Sequence, residues 1–216
     1  MKNKYLKLFV IIMALFMLSG CVHVNRDSYD TIANNIIDSN VYIYNHYDRG
    51  YKHYIPRGLS VKQSNAYNEI IKSNKYEYYL YVDLVSYFNK IEFEYKTNEN
   101  AYYSSLIRDG KGLIEITQKD DNYLVVVQYN YAKVETLVKE RDIKLAVSNS
   151  LIMLSTINYN NEVIQAMLDE GVLSLNERKV DVFNNDGKVN QNELQEIDED
   201  NYRSDEEKEK DRDYIN

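Results

Sequence analysis

Apolar and polar positions change their period several times along this chain. From Asp27 to Asp38, Ile32, Ile36 and Ile37 fall on one helical stripe behind Asp27 or Ser28 as a cap. The spacing predicts a short helix that is either a tether or an edge of the domain. From Val41 the residues become aromatic and β-branched, so Val41-Tyr42-Ile43-Tyr44 and Tyr51 to Ile55 read as strands. The only proline, in Ile55-Pro56-Arg57-Gly58, marks a turn. Ala66, Tyr67, Ile70 and Ile71 then stand at helical spacing and predict a small helix over Ser64 to Ser73.

The middle alternates. Tyr76, Tyr78, Leu80, Val82 and Leu84 share one face of a strand predicted over Tyr76 to Phe88, with Glu77 and Asp83 on the other. Ile91 to Tyr95, Tyr102 to Ile107, Leu113 to Thr117 and Tyr123 to Tyr131 are further strands. Arg108-Asp109-Gly110-Lys111 and Lys119-Asp120-Asp121-Asn122 between them are too short for crossover helices, so the strands run as an antiparallel meander. Beyond Tyr131 the period lengthens. Val134, Leu137 and Val138 predict one helical stripe, Ile143, Val147, Leu151 and Leu154 a second, and Val163, Ile164, Met167 and Leu168 a third, capped by Asn160 or Asn161 and ended by Gly171. Strands followed by helices define an α+β class, the helices packing on one face of the sheet.

The N-terminus is an address. Lys2, Lys4 and Lys7 precede an uninterrupted apolar run from Leu8 to Leu18, the pattern of a secretion signal and too short for a spanning helix. Leu18-Ser19-Gly20-Cys21 follows and resembles the lipobox of bacterial lipoproteins, on the chain's only cysteine. The resemblance implies cleavage between Gly20 and Cys21, diacylglycerol on Cys21, and a protein held on the extracytoplasmic face of the cell membrane. Acyl chains supply about 0.8 kcal/mol per buried methylene, so two or three of them anchor stably.

Organisation follows: 1–20 signal peptide, 21–40 tether and short helix, 41–172 an α+β globular domain, 173–192 a loop, and 193–216 an acidic tail. The net charge of −8 excludes nucleic acid as the main partner, since phosphate binding needs clustered Lys and Arg. Loss of the signal removes three lysines and no acid, which takes −8 to −11; the tail, with eleven acids against four bases, carries −7 of that. So polar a tail cannot bury enough surface to offset its ordering entropy and is expected to be disordered.

Asn184, Asp186, Lys188, Asn190 and Glu193 form a candidate metal set. With Gly187 at the sharp turn, Asn184 and Asp186 take the third and fifth positions, Val189 the apolar eighth, Asn190 the ninth and Glu193 the bidentate twelfth of a loop that resembles the calcium loop of EF-hand and dockerin modules. The first position is Val182 where an aspartate belongs, and Asp181 is one residue out of register. Calcium is the cofactor this segment suggests; otherwise none is expected.

Of the histidines, His46 and His53 flank Tyr47-Asp48-Arg49-Gly50 between two strands and could face each other across a hairpin, with Asp48 nearby. Two ligands make a poor metal site, so the pair reads as solvent-exposed polar turn residues. Asp83, Glu92 and Glu94 read as satisfied or solvated carboxylates. There is no Gly-x-Ser-x-Gly, His-Glu-x-x-His or Ser-x-x-Lys, so no catalytic residue is singled out. The 22 tyrosines offer a binding surface if one sheet face exposes them, although Tyr, Asn, Lys and Ile rise together as AT-rich coding produces. The reading is a non-enzymatic surface lipoprotein that binds a protein, peptide or glycan; the alternatives are a cell-envelope hydrolase using carboxylates and a calcium-responsive module.

Overall fold

A computed structural model describes residues 27–39, 42–65 and 68–173. The readings on Gly20 and Cys21, on Asn184, Asp186, Lys188, Asn190 and Glu193, and on the acidic tail lie outside the described residues.

Seven antiparallel strands form the main sheet: β3 (Ser60–Asn65), β4 (Asn68–Lys72), β5 (Glu77–Val82), β6 (Tyr103–Ile107), β7 (Gly112–Lys119), β8 (Asn122–Tyr129) and β9 (Ala132–Val138). Their spatial order is β3-β4-β5-β9-β8-β7-β6, so two meanders are joined where β5 pairs with β9. Polar turns close the hairpins as expected. The turn from β8 to β9 is Asn130-Tyr131, both left-handed with φ of 53° and 57°. This is the backbone a two-residue type I′ turn requires, and for a tyrosine it is costly. Three bonds fix it: the Tyr159 hydroxyl donates to the Asn130 carbonyl at 2.5 Å, Asn130 Nδ2 to the Ile157 carbonyl at 3.0 Å, and the Asp83 amide to the Tyr131 carbonyl at 2.8 Å.

The helices lie on one face of this sheet. They are α1 (Tyr29–Asp38), α2 (Leu84–Phe88), α3 (Ile143–Ser155) and α4 (Asn161–Asp169), making the mixed α+β class of the sequence reading. Ser28 caps α1 by accepting from the Thr31 amide, and Ile32 and Ala33 bury against α3, so this segment is an edge of the domain. α3 packs on β8 and β9, burying Ile143, Val147, Leu151 and Leu154, and its Asn149 Nδ2 donates to the Tyr78 hydroxyl at 3.2 Å. Asn160 caps α4, and Gly171, at φ 71°, follows its end.

Five predicted elements differ. The described part of Ser64 to Ser73 is not helical: Ser64 and Asn65 end β3 and Asn68–Lys72 is β4, in which Glu69 and Ile71 are buried on one side. Val134, Leu137 and Val138 lie on a central strand, not a helix. In both cases apolar residues four apart misled, because positions i and i+4 share a face in a strand as well as in a helix. Tyr76 to Phe88 splits at Asp83, whose carboxylate accepts from the Ser86 amide at 2.8 Å and starts α2. Ile91 to Tyr95 is irregular, and residues 42–44 are not strand; pairing begins at His46 instead.

The tyrosines divide between layers. Tyr78 faces α3, whereas Tyr79 and Tyr81 alternate to the opposite side of the sheet. Tyr87 and Tyr159 stack at 3.7 Å between layers, while Tyr42, Tyr47 and Tyr102 stand exposed.

A small sheet completes the helical layer. Its strands are β1 (His46–Asp48), β2 (Tyr51–His53) and β10 (Asn158–Tyr159), with β2 central and all pairs antiparallel. Gly50 in the β1–β2 turn has φ 92°, and a Cβ there would stand 3.1 Å from Ile164 Cγ1 and 3.3 Å from Leu84 Cδ1, so its lack of a side chain lets the turn rest on α2 and α4.

Candidate metal centre

Three strands from the two sheets aim one side chain each at a common point. β2 alternates Tyr51 and His53 toward the interior and Lys52 outward, where its ammonium lies 4.4 Å from the Tyr44 ring centre. Register places His46 of β1 directly opposite His53. β4 sends Glu69 to the side of the sheet that bears Tyr78 and the helices, because Glu69 pairs with Leu80, two residues from Tyr78.

The ligand atoms of His46, His53 and Glu69 all lie within 4.8 Å of one another. His53 Nε2 is 3.1 Å from Glu69 Oε1 and 3.2 Å from Oε2, and His46 Nε2 is 3.3 Å from Oε2. Tyr51 donates its hydroxyl to Glu69 Oε1 at 2.6 Å. His53 and Glu69 are fully buried, and the side chain of His46 on the edge strand β1 is 22% exposed although its Nε2 is itself buried. The two rings meet edge to face with centres 5.3 Å apart.

The electrostatics keep a charge on the carboxylate. Burial, the largest influence on Glu69, pushes its pKa up, but hydrogen bonds from His53 and Tyr51 and the nearby imidazoles together hold it below the ordinary value. Burial, followed by the Glu69 charge, drives the Tyr51 phenol well above its ordinary value. Tyr51 is therefore a neutral donor and Glu69 an anion. Two groups in the cluster have no hydrogen-bond partner among the described residues: His46 Nε2 and His53 Nδ1. An unsatisfied polar atom in a buried site calls for an explanation, and a metal ion on His46 Nε2 provides one.

Dimensions suit a small cation. Tetrahedral zinc with bonds of about 2.0–2.1 Å separates its ligand atoms by about 3.3 Å, and the measured nitrogen to oxygen separations are 3.1–3.3 Å. The set as a whole lies within 4.8 Å, so closing on an ion draws the side chains together. His46, His53 and Glu69 can hold a metal ion, and this set of two imidazoles and one carboxylate suits d-block ions rather than calcium, which takes six to eight oxygens.

The earlier expectations are met in part. His46 and His53 do face each other across a hairpin, but they are not exposed turn residues: His53 is fully buried and His46 largely so. Asp48 is not a ligand; its carboxylate accepts from the Arg49 amide and from the Ser64 hydroxyl. Glu69 was missed because the helical reading of Ser64 to Ser73 rested on Ala66, Tyr67, Ile70 and Ile71 and gave Glu69 no role. No polar and apolar alternation marks it: Glu69 shares its buried face with Ile71, a relation that appears only once β4 is recognised as a strand.

Asp83 caps a helix, and Glu92 and Glu94 are exposed, as expected of satisfied or solvated carboxylates. Among the described residues no helix is long and apolar enough to cross a membrane. The chain matches no protein-family model, no curated protein and no solved structure, so its chemistry rests on its own geometry.

Proposed function

We propose that the protein is a lipid-anchored envelope lipoprotein whose exported α+β domain is a non-enzymatic binding module, and that the bound group at its centre is a divalent d-block ion, zinc by preference. The observation that carries this reading is the convergence of His46, His53 and Glu69, which are 7 and 16 residues apart in sequence, drawn from two sheets, and within 4.8 Å in space. Burying an ionised carboxylate beside two imidazoles is expensive unless the charges are compensated, and a dication compensates them. Clefts of about 590, 410 and 130 Å³ among the described residues are lined by residues other than these three. The lipobox resemblance supports membrane attachment through Cys21, and a protein, peptide or glycan partner belongs to the same reading.

The test is metal analysis and calorimetric zinc titration of the mature protein. One zinc per chain, lost in His53→Ala, supports the reading; no binding at micromolar zinc overturns it. Mass spectrometry of the N-terminus tests the anchor, which an unmodified Cys21 overturns. Calcium at Asn184, Asp186, Lys188, Asn190 and Glu193 is a separate proposal. It is tested by calcium titration of the His53→Ala variant, where heat at millimolar ion supports it and none removes it.

A further inference from the structure

The carboxylate of the proposed metal centre is unequally shared. His53 Nε2 stands near both oxygens of Glu69, 3.1 Å from Oε1 and 3.2 Å from Oε2, but Oε2 also lies 3.3 Å from His46 Nε2, whereas Oε1 also receives the Tyr51 hydroxyl at 2.6 Å. An oxygen to oxygen distance of 2.6 Å is that of a strong hydrogen bond and well short of the roughly 3.3 Å between two ligands of one tetrahedral ion. Tyr51 therefore occupies Oε1 as a donor and leaves Oε2 as the coordinating atom.

Tyr51 is itself buried and bonded. It is 3% exposed, in register with Asp48 of β1 on one side and Tyr159 of β10 on the other, and its ring lies near parallel to that of His53 with centres 6.0 Å apart. A side chain packed from three sides and bonded at its tip orients Glu69 as outer partners orient metal ligands elsewhere.

Resting on the reading of this site as a metal centre, we propose that Tyr51 is a positioning residue that sets its coordination and metal preference. With Oε1 held by the phenol, Glu69 binds through one oxygen, and the ion receives two nitrogens, one oxygen and a single position toward the exposed side of His46. Four ligands of this kind suit zinc. Calcium and magnesium require more oxygens than the site then offers. Without the hydroxyl, Glu69 is free to rotate and bind through both oxygens, which raises the coordination number and loosens the selection.

Zinc titration and cobalt(II) absorption spectra, recorded on the mature wild-type protein and on Tyr51→Phe, test this. The expected result is zinc binding weakened on the order of 10- to 100-fold in the variant, together with a fall in cobalt d–d band intensity as coordination rises above four. A merely structural role would lower the melting temperature and leave the cobalt spectrum of the folded variant unchanged; unchanged spectrum and zinc affinity overturn the inference while the metal site stands. Absence of zinc binding in the wild type overturns both. If Tyr51→Phe does not fold, the wild-type ultraviolet difference spectrum on zinc addition serves instead. No phenolate band is expected, and a phenolate band, which would make Tyr51 a ligand, overturns the inference.

Discussion

His53 and Glu69 stand on different sheets, 16 residues apart, yet His53 Nε2 lies 3.1 Å from Glu69 Oε1 with both side chains fully buried. The small sheet is thus tied to the large one through a polar contact. An ion at this point binds the folded chain and not the unfolded one. It should stabilise the fold by about 2.7 kcal/mol when free zinc is 100 times its dissociation constant. Differential scanning fluorimetry should show the melting point rising with zinc in the wild type and indifferent to zinc in His53→Ala.

Removing the carboxylate has a separate cost. Glu69→Ala leaves the buried Tyr51 hydroxyl and His53 Nε2 without their shared acceptor, a loss of about 1–3 kcal/mol for each buried group left unpaired. Chemical denaturation of metal-free protein should show Glu69→Ala clearly less stable than Glu69→Gln, whose amide oxygen still accepts one bond.

The close approach of β7 and β8 predicts a third outcome. A Cβ at Gly112 would stand 2.4 Å from the Gln128 carbonyl oxygen, which is sheet backbone and cannot swing aside. Gly112→Ala should cost at least the 1–3 kcal/mol typical of overpacking. Gly58 has φ 85° and open space around it, so Gly58→Ala should cost only the left-handed strain of about 1–2 kcal/mol. Urea midpoints of the two variants make the comparison.

Alkali should unfold the protein through its buried phenols. Burial raises Tyr79 and Tyr103 to about 12, the Glu77 hydrogen bond adding to Tyr79 and the Asp30 bond to Tyr103, and lifts Tyr51 and Tyr159 well above the ordinary value. In the unfolded chain these phenols ionise near 10. Their contribution is therefore complete below pH 10 and is lost as pH rises toward 12, because only the unfolded state releases its protons there. Spectrophotometric titration should show a late phenolate fraction that appears with loss of far-ultraviolet circular dichroism. In urea all the phenols should titrate together.

In the core, Leu151 of α3 is fully buried against the sheet. Leu151→Ala should cost about 2–5 kcal/mol without changing zinc stoichiometry in the protein that remains folded.

Local chemistry was legible where one segment sufficed. The Ser28 and Asn160 caps, the polar hairpin turns and the α3 stripe Ile143, Val147, Leu151 and Leu154 each follow from a few neighbouring residues, and so did the α+β class. The His46 to His53 pairing was legible for the same reason, since a tight turn dictates which residues oppose each other. Where apolar residues stood four apart, as at Val134 and Val138, helix and strand make the same pattern, and only pairing with neighbouring strands decided between them. Pairing with β5 likewise turns β4 so that Glu69 faces inward beside Tyr51 and His53. Sequence alone established two histidines across a hairpin. The third member of the cluster, its burial and its charge depend on strands of two sheets coming together in space, a long-range relation that no local period encodes.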